Sequence, residues 1–103
     1  MHKIKVLIKE PCKKPRCVNI SCSLENLQKT VGGHVESVTL FSDFVVLCNE
    51  EGRYKGLPWN CDILGINFVG TIIMCGVSND EFADIPISYS DVRRLMPQLW
   101  EER

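Results

Sequence analysis

Phe68-Val-Gly-Thr-Ile-Ile-Met-Cys-Gly-Val77 is the stretch on which the fold turns. It is apolar at both odd and even positions, so as a strand it buries both faces. Such a strand belongs in the interior of a sheet, with cover on both sides. It is about half the length of a membrane span, so it reads as core. Gly70 and Gly76 within it mark a bulge or a close approach of backbone.

On the N-terminal side the elements needed to flank this strand are visible. His2 to Lys9 alternates, with Ile4, Val6 and Ile8 on one face and Lys3, Lys5 and Lys9, joined by Leu7, on the other. That is the pattern of an antiparallel strand with one wet face. Pro11-Cys-Lys-Lys-Pro15 is a turn, and Arg16 to Cys22 returns as a second strand with Val18 and Ile20 inward. The basic tip and lysine face of this hairpin have a phosphate-binding reading. A solvated strand that lysines protect from edge pairing is the reading preferred. Ser23 caps a short helix with Leu24, Leu27 and Val31 on one stripe, and Gly32-Gly33 ends it. Val35 to Phe41 and Phe44 to Asn49 are strands joined by the Ser42-Asp43 turn.

Beyond the central stretch, Ser78 to Asp84 is an acidic loop, and Ser90 opens a last helix. Val92, Leu95, Met96, Leu99 and Trp100 form its core-facing stripe, which Pro97 should kink. The expected fold is α+β, a single, mainly antiparallel sheet in β-β-α-β-β-β-α order with two helices on one face. With 103 residues and no linker or internal repeat, residues 1–103 form a single domain.

Composition removes several function classes. The 45% hydrophobic and 24% charged fractions describe a globular chain. A net charge of −1 argues against a domain that coats nucleic acid, although six of the twelve basic residues lie in the first 16 positions. Residues 2–10 lack the continuous apolar core of a signal peptide, and no stretch spans a membrane, so a cytoplasmic protein is expected. Cys12, Cys17, Cys22, Cys48, Cys61 and Cys75 lack paired zinc knuckles and are read as free thiols in a reducing compartment, with no metal and no cofactor.

The chemistry is concentrated in Leu47-Cys-Asn-Glu-Glu-Gly-Arg-Tyr-Lys-Gly-Leu-Pro-Trp-Asn60. Gly52, Gly56 and Pro58 make the turns, and the density of useful side chains exceeds what turns need. Catalysis is not expected. Glu50 and Glu51 are adjacent and point apart on an extended strand, and Cys61 has only His34 or His2 as a distant base. As a ligand site the loop offers Trp59 or Tyr54 to stack on a base, Arg53 and Lys55 for phosphate, and Asn49 and Asn60 for a base or ribose edge. Glu50, Glu51, Leu57 and Pro58 complete the wall, and His34, Glu36 and Thr71 are secondary candidates. The bland alternatives are specific. Asn60 holds the turn, Pro58 fixes it, Trp59 is core, and His34 and Glu36 are simply polar residues on an exposed strand face.

Four pieces carry a family resemblance: Val31-Gly-Gly-His-Val-Glu36, Leu47-Cys-Asn-Glu-Glu-Gly52, Gly56-Leu-Pro-Trp-Asn60 and Gly70-Thr71. Together, across nearly the whole chain, they resemble a domain of unknown function of about 100 residues, carried by phages and mobile elements of Gram-positive and gut bacteria. The family pattern looks like Leu-Pro-x-Asn-Arg, whereas Cys61 stands here in the place of that arginine, with Arg53 able to compensate across the loop. The resemblance supplies no reaction. It implies work in a host bacterial cytoplasm, where small accessory proteins act by binding.

The expected function is therefore non-catalytic sequestration of a host nucleotide-type immune signal, an anti-defence sponge. The first rival is inhibition of a host protein through the same loop, for which Trp, Tyr and Arg are the residues enriched at hot spots. The second rival is a small hydrolase or nucleic-acid-associated domain. A concave pocket where Arg53, Lys55 and an aromatic converge favours a nucleotide; a flat aromatic patch with an acidic rim favours a protein. A dimer is expected, since two-fold closure is the commonest arrangement.

Overall fold

The structure is a computed structural model that describes residues 2–101. The elements run β1 (Lys3–Lys9), β2 (Arg16–Ser21), α1 (Leu24–Val31), β3 (Val35–Phe41), β4 (Phe44–Asn49), β5 (Trp59–Ile63), β6 (Ile66–Val69), β7 (Ile72–Ser78), β8 (Glu81–Ala83) and α2 (Tyr89–Leu95), followed by a 3-10 turn, Pro97–Trp100. The fold is α+β, but the single sheet expected from sequence is corrected to two. A six-stranded antiparallel sheet has the order β2-β1-β7-β4-β3, with β8 pairing on the far end of β7, and β5 and β6 form a separate two-stranded sheet.

The physical cause lies in the middle of the apolar stretch. Gly70 has φ +71°, a left-handed conformation that ends one strand and redirects the chain. Residues before it turn back onto β5, and residues after it enter the main sheet. What reads as one strand from Phe68 to Val77 is therefore the end of β6 and most of β7. β7 is central and buried at five of its seven positions; β4 beside it is buried at all six.

The two helices do not share a face. Ile4, Val6, Ile8, Val45, Leu47, Ile73 and Cys75 point to one side and meet Leu27 and Val31 of α1. Leu7, Phe44, Val46, Cys48, Ile72 and Met74 point to the other, where Val92, Met96 and Leu99 and the β5–β6 residues Cys61, Ile63 and Phe68 cover them. An amphipathic stripe tells that a helix has a core side but not which side of the sheet it takes. Double cover also explains β1. Lys3 and Lys5 are exposed, but at the other end of the same face Leu7 and Lys9 are buried, so the wet face expected of this strand is only half wet.

Local signals otherwise account for the boundaries. Ser23 caps α1, its Oγ accepting from Asn26 N at 3.2 Å, and Gly32 closes the helix with φ +82° while its N–H donates to Gln28 O. Leu24, expected on the buried stripe, sits in the first turn and is exposed. The last helix is capped by Ser88 rather than Ser90, with Ser88 Oγ accepting from Asp91 N at 3.1 Å. Pro97 does not kink this helix. The helix stops at Leu95, and Pro97 starts the 3-10 turn, where its missing N–H costs nothing. Among the described residues, no helix is long and apolar enough to cross a membrane.

Candidate functional site

The loop from Glu50 to Pro58 leaves the end of β4, which lies between β7 and the outer strand β3, and runs beside β6 before entering β5. Its backbone closes on itself. Gly52 N donates to Asn49 O, Lys55 N to Glu51 O, Gly56 N to Arg53 O and Leu57 N to Gly52 O, at 2.9–3.1 Å. Asn49, expected to read a ligand edge, is buried instead. Its Oδ1 accepts from Glu51 N at 2.9 Å to start the turn, and its Nδ2 donates to Val31 O at the end of α1. Gly33 leaves the room for this amide, since a Cβ there would stand 2.8 Å from Asn49 Nδ2.

Asn60 is also turned inward, with 2% of its surface exposed. Its Nδ2 donates to Lys9 O at 2.8 Å and Gly70 O at 2.7 Å, and its Oδ1 accepts from Lys9 Nζ at 2.8 Å. One amide thus ties the end of β1 to the start of β5 and to the link between β6 and β7. Pro58 adds a fourth bond to this knot, its carbonyl accepting from Gly70 N at 2.8 Å. Leu57 packs over Gly70, where a Cβ would lie 2.8 Å from Leu57 Cδ1. Both asparagines are buried and use their amides to hold the loop, while Asn49 also lines the cleft beside Arg53 and Asn60 the cavity beside Trp59.

Lys9 is the residue that sequence reasoning missed. It is buried, and among the described residues its Nζ reaches Asn60 Oδ1 and, at 3.4 Å, Glu10 O, both uncharged acceptors. Burial lowers its pKa from the ordinary lysine value, against the smaller opposing influence of Cys61 and Cys12. The signal was Leu7, an apolar residue on the supposed wet face, which placed cover over the Lys9 end of the strand. Trp59 is half-buried and donates Nε1 to Asp62 Oδ1 at 3.1 Å. It lines a cavity of about 50 Å³ with Lys9, Cys12, Cys61 and Asp62.

Arg53 lies elsewhere. Its guanidinium donates to Asn67 O of β6 and lines a cleft of about 310 Å³ between the β3–β4 edge and β6, with Glu36, Glu50, Cys48, Val38 and Ile66 among the other walls. Asn67 and Cys48 were not expected here; nothing in the sequence pointed from the loop to β6, because β6 was hidden in the longer apolar run. Cys48 Sγ approaches Glu36 Oε1 at 3.9 Å, and burial first, then Glu36, push its pKa up to about 11. The cleft thus holds one guanidinium, already engaged, and two carboxylates, a poor electrostatic match to a polyphosphate. Glu50 and Glu36 line it together; Thr71 and Trp59 do not.

Tyr54 lies at the loop apex with 92% of its surface exposed. Lys55 is turned to Glu51, 3.9 Å away. His34 is exposed beside β3, and its carbonyl accepts from Glu50 N at 2.8 Å, so its backbone rather than its imidazole supports the loop. A larger concavity, about 500 Å³, lies far along the chain from this loop, lined by His2, Cys22, Leu24, Leu27, Asp80 and Phe82 among others; it gathers no constellation for chemistry. Among the described residues, no group of three or more metal-ligating side chains converges.

The expected convergence of aromatic, cation and amide therefore does not form. The loop sends Trp59 into one cavity, Arg53 into another, both asparagines inward and Tyr54 outward. The pieces quoted from the sequence do meet: Gly33, Asn49, Leu57, Asn60 and Gly70 form one packed junction. No curated protein and no solved structure matches the chain. A family model does, over residues 4–96, and the chain belongs to that family, the domain of unknown function DUF3846.

Proposed function

We propose that this domain is a non-catalytic binding module that engages a protein through the apex of the 50–58 loop. One observation carries the reading: Tyr54 is 92% exposed on a loop whose backbone is already hydrogen-bonded into a single shape. A tyrosine held out by a preorganised loop costs little conformational entropy to dock, and tyrosine is enriched among hot-spot residues. Lys55, adjacent to it in sequence, and Glu51, 3.9 Å from Lys55, supply exposed charges of both signs, which suits a polar rim around an aromatic anchor. In the setting that the family resemblance implies, a phage or mobile element in a bacterial cytoplasm, the partner is a host protein and the module an inhibitor of it.

A second reading keeps the nucleotide signal and moves it to the cleft beside Arg53. Its support is that the cleft, at about 310 Å³, has room for a small ligand, with Arg53 for an anionic group and Glu36 and Glu50 as acceptors for a donor-rich base edge. It lacks an exposed stacking ring, so it ranks second.

The test is affinity capture from host lysate with wild type and Tyr54→Ala, read by quantitative mass spectrometry, alongside calorimetry against cyclic dinucleotides, ADP-ribose derivatives and mononucleotides. Tyr54→Ala should keep the wild-type melting profile and weaken the captured protein's affinity by about 30-fold, the hot-spot scale of about 2 kcal/mol. Equal capture by both proteins refutes the first reading. A nucleotide that binds wild type and fails to bind Arg53→Ala selects the second.

A further inference from the structure

We propose that β3 is a homodimerisation edge, on which a second copy of this chain adds its own β3 antiparallel across a two-fold axis at Ser37. The main sheet has two outer strands, β2 and β3. They are defended differently. β2 is entered through Lys13, Lys14, Pro15 and Arg16, the residues that blunt an edge. β3, Val-Glu-Ser-Val-Thr-Leu-Phe, has no lysine, arginine or proline, and among the described residues no strand pairs with its outer side.

The hydrogen-bond phase of that edge follows from its inner partner. Glu50 N donates to His34 O, and the register continues as Glu36 opposite Cys48 and Val38 opposite Val46. In an antiparallel ladder only alternate pairs exchange N–H···O bonds, so positions 34, 36 and 38 bond to β4. Val35, Ser37 and Thr39 direct their N–H and C=O groups outward. The bulge between Thr39 and Phe41 sets the far limit of a regular edge.

Placed against itself about Ser37, this segment is self-complementary. Val35 faces the partner copy's Thr39, Ser37 faces its own counterpart, and each of these pairs brings outward-pointing backbone groups together in the bonding phase. On the opposite face Glu36 stands across from Val38, so the only charge of the strand is never set directly against its like. Ser37 and Thr39 are exposed, as a docking edge requires. A two-fold contact is also the only arrangement in which one unprotected edge satisfies another without growing a fibre. A foreign peptide would meet the same backbone groups, but nothing on β3 selects for its side chains, whereas the chain's own sequence satisfies the register.

Sedimentation velocity over a rising concentration series tests this. Wild type should move from the 11.7 kDa monomer towards twice that mass, with a dissociation constant in the micromolar range. Ser37→Pro removes an N–H that does not serve the internal ladder and should raise the dissociation constant by about tenfold or more, the loss of at least one paired bond on each side of the axis. Ser37→Lys, an exposed substitution that sets like charges opposite each other at the axis, should do the same if the proline variant melts early. A wild type that stays monomeric at the highest concentration overturns the proposal, and so does a dimer that survives Ser37→Lys with its melting profile intact.

Discussion

Replacing Asn60 with alanine should be among the most destabilising changes that the candidate loop can suffer. The side chain makes three hydrogen bonds of 2.7–2.8 Å while 2% exposed, to Lys9 O, Gly70 O and Lys9 Nζ. Alanine leaves two carbonyls and an amine buried without that partner. A buried neutral group orphaned in this way costs about 1–3 kcal/mol, and a charged one more. Taking the lower end for the carbonyls, which have a second lone pair, and the upper end for the amine gives about 4–5 kcal/mol. Domains of this size are stable by about 5–15 kcal/mol in total, so the variant should lose about a quarter or more of its margin. Urea unfolding followed by tryptophan fluorescence reads this directly as a lower midpoint with an unchanged slope. The partner substitution makes the argument specific. Lys9→Met should destabilise less in the Asn60→Ala background than in wild type, because the orphaned amine is then gone; the expected coupling is about 1–3 kcal/mol. A loss below about 1 kcal/mol for Asn60→Ala, or additive effects in the double variant, would refute the view that this amide holds β1, β5 and the β6–β7 link together.

Two further stability predictions follow from the same geometry. Gly70→Ala combines a φ of +71° with a Cβ 2.8 Å from Leu57 Cδ1, and should lower stability by about 2–4 kcal/mol in the same urea assay, with Leu57→Ala in that background recovering part of it. The protein should also weaken in alkali: burial pushes Cys48 and Cys61 up to about 11 and Cys75 to about 12 from an ordinary 9.0, so the folded state keeps protons that the unfolded state releases. The thiol contribution is then level below pH ~9 and falls by about 1.4 kcal/mol per pH unit for each thiol above it, while Lys9, lowered from 10.5, contributes with the opposite sign below that pH. Urea midpoints from pH 8 to 11 should show a net fall, and Cys75→Val should remove about a third of the thiol contribution to it; a flat profile would contradict the burial of these thiols.

The sequence was legible where a residue type decides a local conformation. Ser23 and Gly32 bracket α1, and Ser42-Asp43 joins two strands, because caps and tight turns accept few side chains. It was illegible where the answer depends on what lies across a gap. The β5–β6 hairpin escaped because Asn60 and Cys61 are both buried at a register shift, which breaks alternation. Its turn places Leu64, with φ +49°, where Asn or Gly would have announced it. The continuous hydrophobicity from Phe68 to Val77 concealed the division at Gly70, since two short buried strands read as one long one. At the candidate site, the loop and its turn residues were readable; the directions of its side chains were not. Trp59 already belongs to a strand, and that fact separates it from Arg53. Asn49 and Asn60 look like ligand-reading groups in a list of residues and are the loop's own fastenings in three dimensions.

The place of β7 in the strand order has a consequence for how the chain is made. β1 and β4 flank it in space, yet Ile72–Ser78 follow both by more than twenty residues of sequence. During synthesis the two hairpins β1–β2 and β3–β4 therefore leave the ribosome first, as separate ribbons with open apolar strands facing an unfilled slot. Neither can complete its ladder until the central strand emerges, so assembly waits on late residues rather than growing from the start of the chain. A nascent chain stalled before Ile72 should be a client for ribosome-associated chaperones and proteases, whereas one stalled after the exit of Ser78 should resist them.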